Sequence, residues 1–359
     1  MTVPIVAADA VTPAWLTQLL RDAGVISRAA VTRIERTRIG TGLVGQNVRF
    51  TLTYDHDEPG APASVVGKFP STEPLSRRTA VGGGIYEREV RFYREVAPTV
   101  HIRTPACYAA AVDSASGDFV VLLEDLAPAR QGDQIAGCSI AQAELALAEL
   151  AGLHAPRWGE AALQGLDWLP RPTPVALMRR QQLYQAVWPR FLETYEAALP
   201  PGGVALGERF GRTLARALDP DGAPPCITHG DYRIDNMLFG TAEGGYPLAV
   251  VDWQTVGIGA GAQDAAYFLG AGPLVAERRT HEERLLRCYY DALLAGGVHG
   301  YSWDACWRDY RRGSLSGLSM TVVASMIVET DARGVAMFSA MAERHFSHAL
   351  EIGAEEFFA

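Results

Sequence analysis

The stretch that most constrains this chain runs from residue 227 to residue 256 and reads ITHGDYRIDNMLFGTAEGGYPLAVVDWQTV. Asp231 and Asn236 stand five residues apart on a polar segment, and Asp252 follows a valine-rich run that predicts a strand. A glycine-marked hairpin through residues 241–245 would return the chain and bring Asp252 to the other two. Carboxylate and amide oxygens bind hard cations, and a positioned carboxylate can act as a general base. The spacing therefore predicts one base and two cation ligands in one place.

Length and composition narrow the class of protein. A chain of 359 residues exceeds a usual single core, so two lobes are expected. A net charge of -9 argues against a nucleic-acid partner, whose phosphates require a basic face. Five scattered cysteines predict reduced thiols rather than disulfides or a zinc site. The beginning of the sequence does not read as a secretory signal, and the apolar run 314–328 is shorter than the roughly 20 residues of a membrane span. A cytoplasmic protein is expected.

The first part of the chain predicts a helix and then strands. Residues 12–24 carry helix punctuation at both ends, and residues 47–54 alternate between apolar and polar as a half-buried strand does. Between two predicted strands lie Gly40, Gly42 and Gly45 in a GxGxxG pattern. Because these glycines open a strand and not a helix, they favour a hairpin over nucleotide phosphates rather than a dinucleotide-binding turn. An ordinary hairpin turn is the alternative.

Lys68 is the only lysine in the sequence, and it lies in the short apolar strand ASVVGKF. A lysine there is either a surface residue or a buried charge that needs an anionic partner. Glu89 falls on the apolar side of the helical segment IYEREVRFYREV, so an ion pair between Lys68 and Glu89 is predicted. The alternative is that Glu89 pairs with an arginine of its own helix.

A second predicted hairpin, over residues 105–123, ends in Glu124, Asp125 and Leu126. This point is the expected crossover between lobes, where backbone groups could bind an adenine edge. We therefore predict a nucleotide-binding domain over residues 1–126, with residues 12–24 as a helical extension. Residues 127–359 form the predicted catalytic and acceptor-binding domain.

The second domain reads as mainly helical. Residues 139–154 begin with a capping-box pattern, and His154 at their end is expected to be structural. An aromatic-rich segment over residues 157–201 suggests a wall for an apolar acceptor, although some of its rings must lie in the core. Further helices are predicted at 207–218, 280–296 and 303–350.

The central stretch suits phosphoryl transfer, which needs positioning and Mg²⁺ more than covalent chemistry. Asp231 is the candidate base, and Asn236 and Asp252 are the candidate Mg²⁺ ligands. His229 is expected to fix the loop by hydrogen bonding. A glycosidase could also use paired carboxylates, but it would leave the glycines, Lys68 and Glu89 without a role. A purely structural turn would not require this set of polar residues.

The motif HGDxxxxN, met by His229, Gly230, Asp231 and Asn236, resembles that of the aminoglycoside phosphotransferase and choline kinase superfamily. In VVDWQ, Asp252 corresponds to the metal-binding aspartate of that family, and Asp264 in QDAAYFL matches a recurrent helix start. The segments EREVRFY, VLLEDL and VVASMIVETDARGVAMF are more specifically similar to the ecdysteroid kinase-like branch and its bacterial relatives.

The resemblance implies a bilobal protein kinase-like fold of class α+β, with an antiparallel sheet and a helix in the first lobe and a mainly helical second lobe. It implies ATP and Mg²⁺ as cofactors, Lys68 on the nucleotide phosphates and Glu89 as its partner. DARGV departs from the run expected in bacterial relatives, so any role of Asp331 is open. The expected reaction is phosphorylation of a hydroxyl on a small molecule, either an amphiphilic or apolar alcohol or an antibiotic. A catalytically silent nucleotide-binding scaffold is the alternative of another class.

Overall fold

A computed structural model of the chain describes residues 3–40, 45–241, 244–328 and 330–359. The chain forms two compact units that do not correspond to a single cut in the sequence. The first comprises Met1–Pro98, Thr104–Ala129 and Val251–Thr255, and the second comprises Thr99–Arg103, Arg130–Val250 and Val256–Ala359. The boundary at residue 126 stays a prediction.

The first unit is built on an antiparallel sheet of five strands in the order β1-β2-β3-β5-β4. The strands are β1 (Val31–Ile39), β2 (Gly45–Tyr54), β3 (Ser64–Pro70), β4 (Cys107–Asp113) and β5 (Asp118–Glu124). Its helices are α1 (Pro13–Asp22), α2 (Pro74–Gly82) and α3 (Ile85–Arg91), and α3 continues as a π-helical turn over Phe92–Val96. Leu16, Leu19 and Leu20 of α1 share a core with Val48 and Phe50 of β2. The predicted alternation of β2 and the predicted N-terminal helix are both confirmed.

The glycine-rich segment joins β1 to β2, as predicted. The two strands pair antiparallel up to Ile39 opposite Asn47. Gly40 has φ +71°, which a side chain would disfavour, and a Cβ on Gly45 would lie 3.0 Å from the Phe69 carbonyl oxygen. Gly42 lies outside the described residues.

The second unit is mainly helical. Its helices are α4 (Ile140–His154), α5 (Pro174–Tyr195), α6 (Gly203–Ala217), α7 (Gly261–Ala271), α8 (Val275–Ala295), α9 (Trp303–Ile327) and α10 (Ala332–Glu351). Short strands form an antiparallel pair, β7 (Pro225–Thr228) with β10 (Gly257–Ala260), and a three-stranded sheet of β6 (Arg130–Gln131), β8 (Met237–Phe239) and β9 (Leu248–Val250). The predicted capping box of Ser139 and Gln142 begins α4. Among the described residues, no helix has the length and apolar character that a membrane crossing requires.

Two predictions for this unit need correction. The region 303–350 is two helices and not one, because Asp331 caps a new helix by accepting a hydrogen bond from the Gly334 amide at 2.9 Å. The aromatic side chains of α5 pack in the core, where Tyr184, Trp188, Phe191 and Tyr195 are at most 8% exposed. Helical spacing identified the buried face but could not say what covers it, so these four rings do not form an open pocket wall.

Candidate active site

Lys68 is buried in the first unit between two carboxylates. Its Nζ lies 2.7 Å from Glu89 Oε1 and 2.8 Å from Asp252 Oδ1, and the residue is 8% exposed. The predicted ion pair with Glu89 is therefore present. Burial lowers the pKa of Lys68, but the charges of Asp252 and Glu89 outweigh burial and raise this pKa above its usual value. The ammonium is thus a fixed positive charge at neutral pH.

Residues 251–255 are held against the helix that carries Glu89. The Trp253 ring stacks on Phe92 with centroids 3.8 Å apart, and Arg88 donates to the Gln254 carbonyl oxygen at 2.8 Å. Gln254 Nε2 in turn donates to Glu89 Oε2 at 3.2 Å. Asp252 has φ +68°, a left-handed conformation that is uncommon outside glycine and tends to occur at functional sites. These contacts fix the Asp252 carboxylate beside Lys68.

The side chains at the end of β5 are engaged within the first unit. Asp125 accepts hydrogen bonds from Arg49 Nε at 2.5 Å and from the Ser64 hydroxyl at 2.6 Å. Glu124 accepts one from the Ala106 amide at 2.9 Å, and Leu126 is buried. The carboxylates of Glu124 and Asp125 therefore have structural partners, and a nucleotide role for this segment stays a prediction that concerns its backbone.

Asp231, in the second unit, is surrounded by hydrogen-bond donors. Its Oδ1 accepts from the Tyr267 hydroxyl at 2.9 Å, and its Oδ2 accepts from Arg233 Nε and Asn236 Nδ2, each at 3.1 Å. A carboxylate has about four lone-pair positions, and three of them are filled here. Among the described residues, the remaining one lies on Oδ1, where a hydroxyl proton could be accepted. The geometry fits an oriented base.

Arg233 and Asp235 brace the loop. Arg233 Nη1 lies 2.8 Å from Asp235 Oδ2, and Asp235 Oδ1 accepts from the Gln134 amide at 2.8 Å. Burial raises the pKa of Asp235, but Arg233 and these hydrogen bonds lower it overall. Arg333 lies 3.3 Å from the same carboxylate and is 42% exposed. Arg233 and Asp235, whose roles the sequence left open, thus form an internal ion pair of the loop.

Asp264 holds the HGD turn by its backbone. Its Oδ2 accepts from the His229 amide at 2.6 Å and its Oδ1 from the Gly230 amide at 3.1 Å, and the residue is 1% exposed. His154 lies behind it, with Nε2 at 3.4 Å from Asp264 and Nδ1 at 2.7 Å from the Tyr289 hydroxyl. His229 is buried and accepts from the Asp231 amide through Nδ1 at 3.3 Å. Both histidines therefore have hydrogen-bonding positions, as predicted.

Asn236 and Asp252 each carry an oxygen of the kind that a hard cation binds. Asn236 uses its Nδ2 for the Asp231 carbonyl oxygen and carboxylate, which turns the amide oxygen away from those bonds. Asp252 adds carboxylate oxygen and is 38% exposed. Oxygen ligands of this kind fit Mg²⁺, whose remaining positions are usually taken by water and phosphate oxygens. Asn236 lies in the second unit and Asp252 in the first, so their joint role as ligands stays a prediction.

Three contributors to the site escaped sequence reasoning. Tyr267 follows Asp264 by three residues on α7, and Gln254 follows Asp252 by two. The helical offset of Asp264 and Tyr267 was a usable signal, because residues three apart share a helix face. Gln134 gave no such signal. Its side-chain oxygen accepts a hydrogen bond from the Ile234 amide, but the two residues are 100 positions apart in the sequence.

The sheet with a buried lysine-glutamate pair, and the mainly helical unit with an ordered HGD loop, define a protein kinase-like fold. Comparison with known families agrees, since residues 66–313 match the phosphotransferase enzyme family. The chain belongs to that family.

Solved structures show the same fold. Choline kinase from Cryptosporidium parvum has a TM-score of 0.56 at 12% identity, covering 95% of each chain. A Ralstonia eutropha protein described as an aminoglycoside phosphotransferase has a TM-score of 0.53 at 16% identity, and the match covers 94% of this chain and 97% of that protein. Ethanolamine kinase from Plasmodium vivax has a TM-score of 0.51 at 11% identity, and the match covers 91% of this chain and 85% of the kinase. At these identities the likeness establishes fold alone.

A curated relative matches part of the sequence. Acyl-CoA dehydrogenase family member 11 of Gallus gallus is 35% identical over 123 residues, which are 34% of this chain and 14% of that protein. The match thus covers a small part of the relative.

Proposed function

We propose that the protein transfers the γ-phosphoryl group of ATP to a hydroxyl of a small molecule. The observation that carries the proposal is the buried Lys68, held by Glu89 and Asp252 in a chain of the phosphotransferase family. A fixed ammonium in an apolar strand is suited to nucleotide phosphates and has no role in glycoside hydrolysis.

In the proposed reaction the acceptor hydroxyl donates its proton to Asp231 Oδ1. The acceptor oxygen bonds to the γ-phosphorus as the bond to the bridging β–γ oxygen breaks, and ADP leaves. Asn236 and Asp252 would hold Mg²⁺, which neutralises phosphate charge when bound. Tyr267, Arg233 and Asn236 orient the carboxylate of Asp231 through hydrogen bonds.

The test is ATP turnover with an alcohol panel. Removing a general base costs about 10²- to 10⁴-fold in rate, so Asp231→Asn and Asp231→Ala are expected to lose transfer while still binding Mg-ATP. Asp291→Asn, an exposed substitution on α8, is the matched control. An Asp231→Ala variant with wild-type turnover would remove Asp231 from the base role. Binding of Mg-ATP without transfer to any acceptor would favour the silent nucleotide-binding scaffold.

For the acceptor we retain an amphiphilic or apolar alcohol, in keeping with the sequence likeness to the ecdysteroid kinase-like branch. The aromatic rings of α5 lie in the core and therefore do not support an apolar acceptor site. The apolar residues that this helix exposes are Val175, Met178 and Leu183. The panel should include an aminoglycoside and a macrolide as the alternative. The chicken relative is named for acyl-CoA, so the panel should also include an acyl-CoA that carries a hydroxyl group.

We propose a cytoplasmic location, where ATP and Mg²⁺ are available. All five cysteines lie in described residues and are free, which supports a reducing compartment.

A further inference from the structure

Arg180 is a partly buried arginine of α5 that lacks an acidic partner. Its Nε donates to the Ser319 hydroxyl on α9 at 2.6 Å. Within the described ranges, its two terminal nitrogens make no hydrogen bond and no carboxylate lies within ion-pair distance. The residue is only partly exposed, so its guanidinium has lost part of its hydration without gaining an anion in exchange.

Two other buried arginines show what a structural role looks like in this unit. Arg344 donates to the carbonyl oxygens of Gln134, Ala271 and Ile135 at 2.7–3.0 Å, which satisfies its terminal nitrogens. Arg278 pairs with Glu282 at 2.9 Å and also with Glu351. Arg180 has neither carbonyl nor carboxylate partners of this kind. One serine hydroxyl leaves most of its donors available to a ligand.

Arg180 is linked to the proposed base through two packed helices. It bonds to Ser319 of α9, and α9 packs against α7, which carries Tyr267. The Tyr267 hydroxyl donates to Asp231 Oδ1, the oxygen that accepts only this one hydrogen bond among the described residues. Burial raises the pKa of Tyr267, and the charge of Arg180 acts to lower it.

Of Arg180, Arg233 and Arg333, only Arg180 has no carboxylate partner among the described residues. Arg233 pairs with Asp231 and Asp235, and Arg333 pairs with Asp235 and Asp133. A polycationic acceptor would be repelled here, whereas a carboxylate or phosphate would be attracted.

We propose that Arg180 binds an anionic group, a carboxylate or a phosphate, on the molecule whose hydroxyl is phosphorylated. The inference rests on the proposed function and narrows its acceptor to a hydroxylated anion. The planar fork of arginine can make two parallel bonds to either group, and the Ser319 contact at Nε leaves the terminal nitrogens free for them.

The experiment compares four series of ω-hydroxy compounds with two to eight carbons: carboxylates, phosphate monoesters, diols and amino alcohols. ADP release and calorimetric binding are measured for wild type, Arg180→Met and Arg180→Lys. Arg179→Met, at the exposed neighbouring position, is the control. We expect wild type to prefer an anionic series. Arg180→Met should lower kcat/KM for its members by about 10- to 100-fold, as expected for a hydrogen-bonded charge, with little change for diols.

The remaining results discriminate further. Preference between carboxylates and phosphates identifies the anion. Arg180→Lys should retain part of the anionic activity because it keeps the charge, and an unchanged melting temperature in Arg180→Met would exclude a structural role. Equal kcat/KM for anionic compounds in Arg180→Met and Arg179→Met, or a wild-type preference for diols or amino alcohols, would overturn the inference, as would neither binding nor turnover of any anion. Absence of transfer to every alcohol, with anion binding lost only in Arg180→Met, would instead reject the phosphotransferase reaction.

Discussion

Asp264→Asn tests how the HGD turn is held. The wild-type carboxylate accepts two backbone amides, those of His229 at 2.6 Å and Gly230 at 3.1 Å, in a position that is 1% exposed. Asparagine has the same shape but only one acceptor oxygen, so its amide nitrogen would face one of these donors. One N–H is then left without an acceptor, and the other loses a charged one.

The cost follows from these two changes. An orphaned buried donor costs about 1–3 kcal/mol, and replacing a charged acceptor by a neutral one costs about 1 kcal/mol more. We expect Asp264→Asn to lower the free energy of unfolding by about 2–4 kcal/mol. Because Asp231 directly follows Gly230, kcat should also fall if the proposed reaction is correct.

The free energy is measured by urea unfolding followed by tryptophan fluorescence, with Asp291→Asn on exposed α8 as the control. An unchanged m-value would show that the comparison is valid. A loss below about 0.5 kcal/mol, the usual range of a neutral surface substitution, would refute the reasoning that the carboxylate holds the turn.

Two further predictions concern charged groups. Burial raises the pKa of Glu282, but His348, Arg278 and Tyr310 lower it from 4.5 to about 2. Because the pKa of Glu282 is lower in the folded state than in the unfolded state, its ionised carboxylate stabilises the folded protein by about 3 kcal/mol above pH 4.5. This stabilisation is lost as the pH falls toward 2. The difference in free energy of unfolding between wild type and Glu282→Gln, measured in urea, should therefore shrink between pH 4.5 and 2. Glu283→Gln, the control, should follow wild type. A wild-type to Glu282→Gln difference that stays constant over this range would contradict the prediction. Glu89→Gln leaves Lys68 with one carboxylate and should cost about 3 kcal/mol in the same assay, as breaking a buried pair does. The control is Glu87→Gln, at a more exposed position on the same helix. Equal losses of unfolding free energy in the two variants would show that the Lys68–Glu89 pair does not stabilise the fold.

Local sequence patterns predicted those parts of the site that depend on neighbours in the chain. The apolar strand around Lys68 (β3) and the stripe on α3 predicted the pairing of Lys68 with Glu89, because a charge in an apolar strand needs an anionic partner and the stripe places Glu89 on the inward side. The five-residue spacing of Asp231 and Asn236 likewise fits a short loop.

What escaped prediction depends on contacts between distant elements. Asp264 reaches the His229 amide only because α7 begins beside the turn, and Arg180 is conspicuous only when its surroundings are known. Trp188 and its neighbours show the reverse error, since a helical stripe of rings has the same appearance in a core and in a pocket. Packing across the chain decides such cases.

The single lysine has a practical consequence for chemistry in solution. An amine-acylating reagent finds one side-chain amine in this sequence, and that amine is 8% exposed and shared by Glu89 and Asp252. Its acylation rate, measured by mass spectrometry, would therefore record the release of Lys68 from both carboxylates without any engineered label. A lysine-specific protease would likewise have a single bond to cut, after Lys68, and the appearance of that cleavage would time the opening of β3.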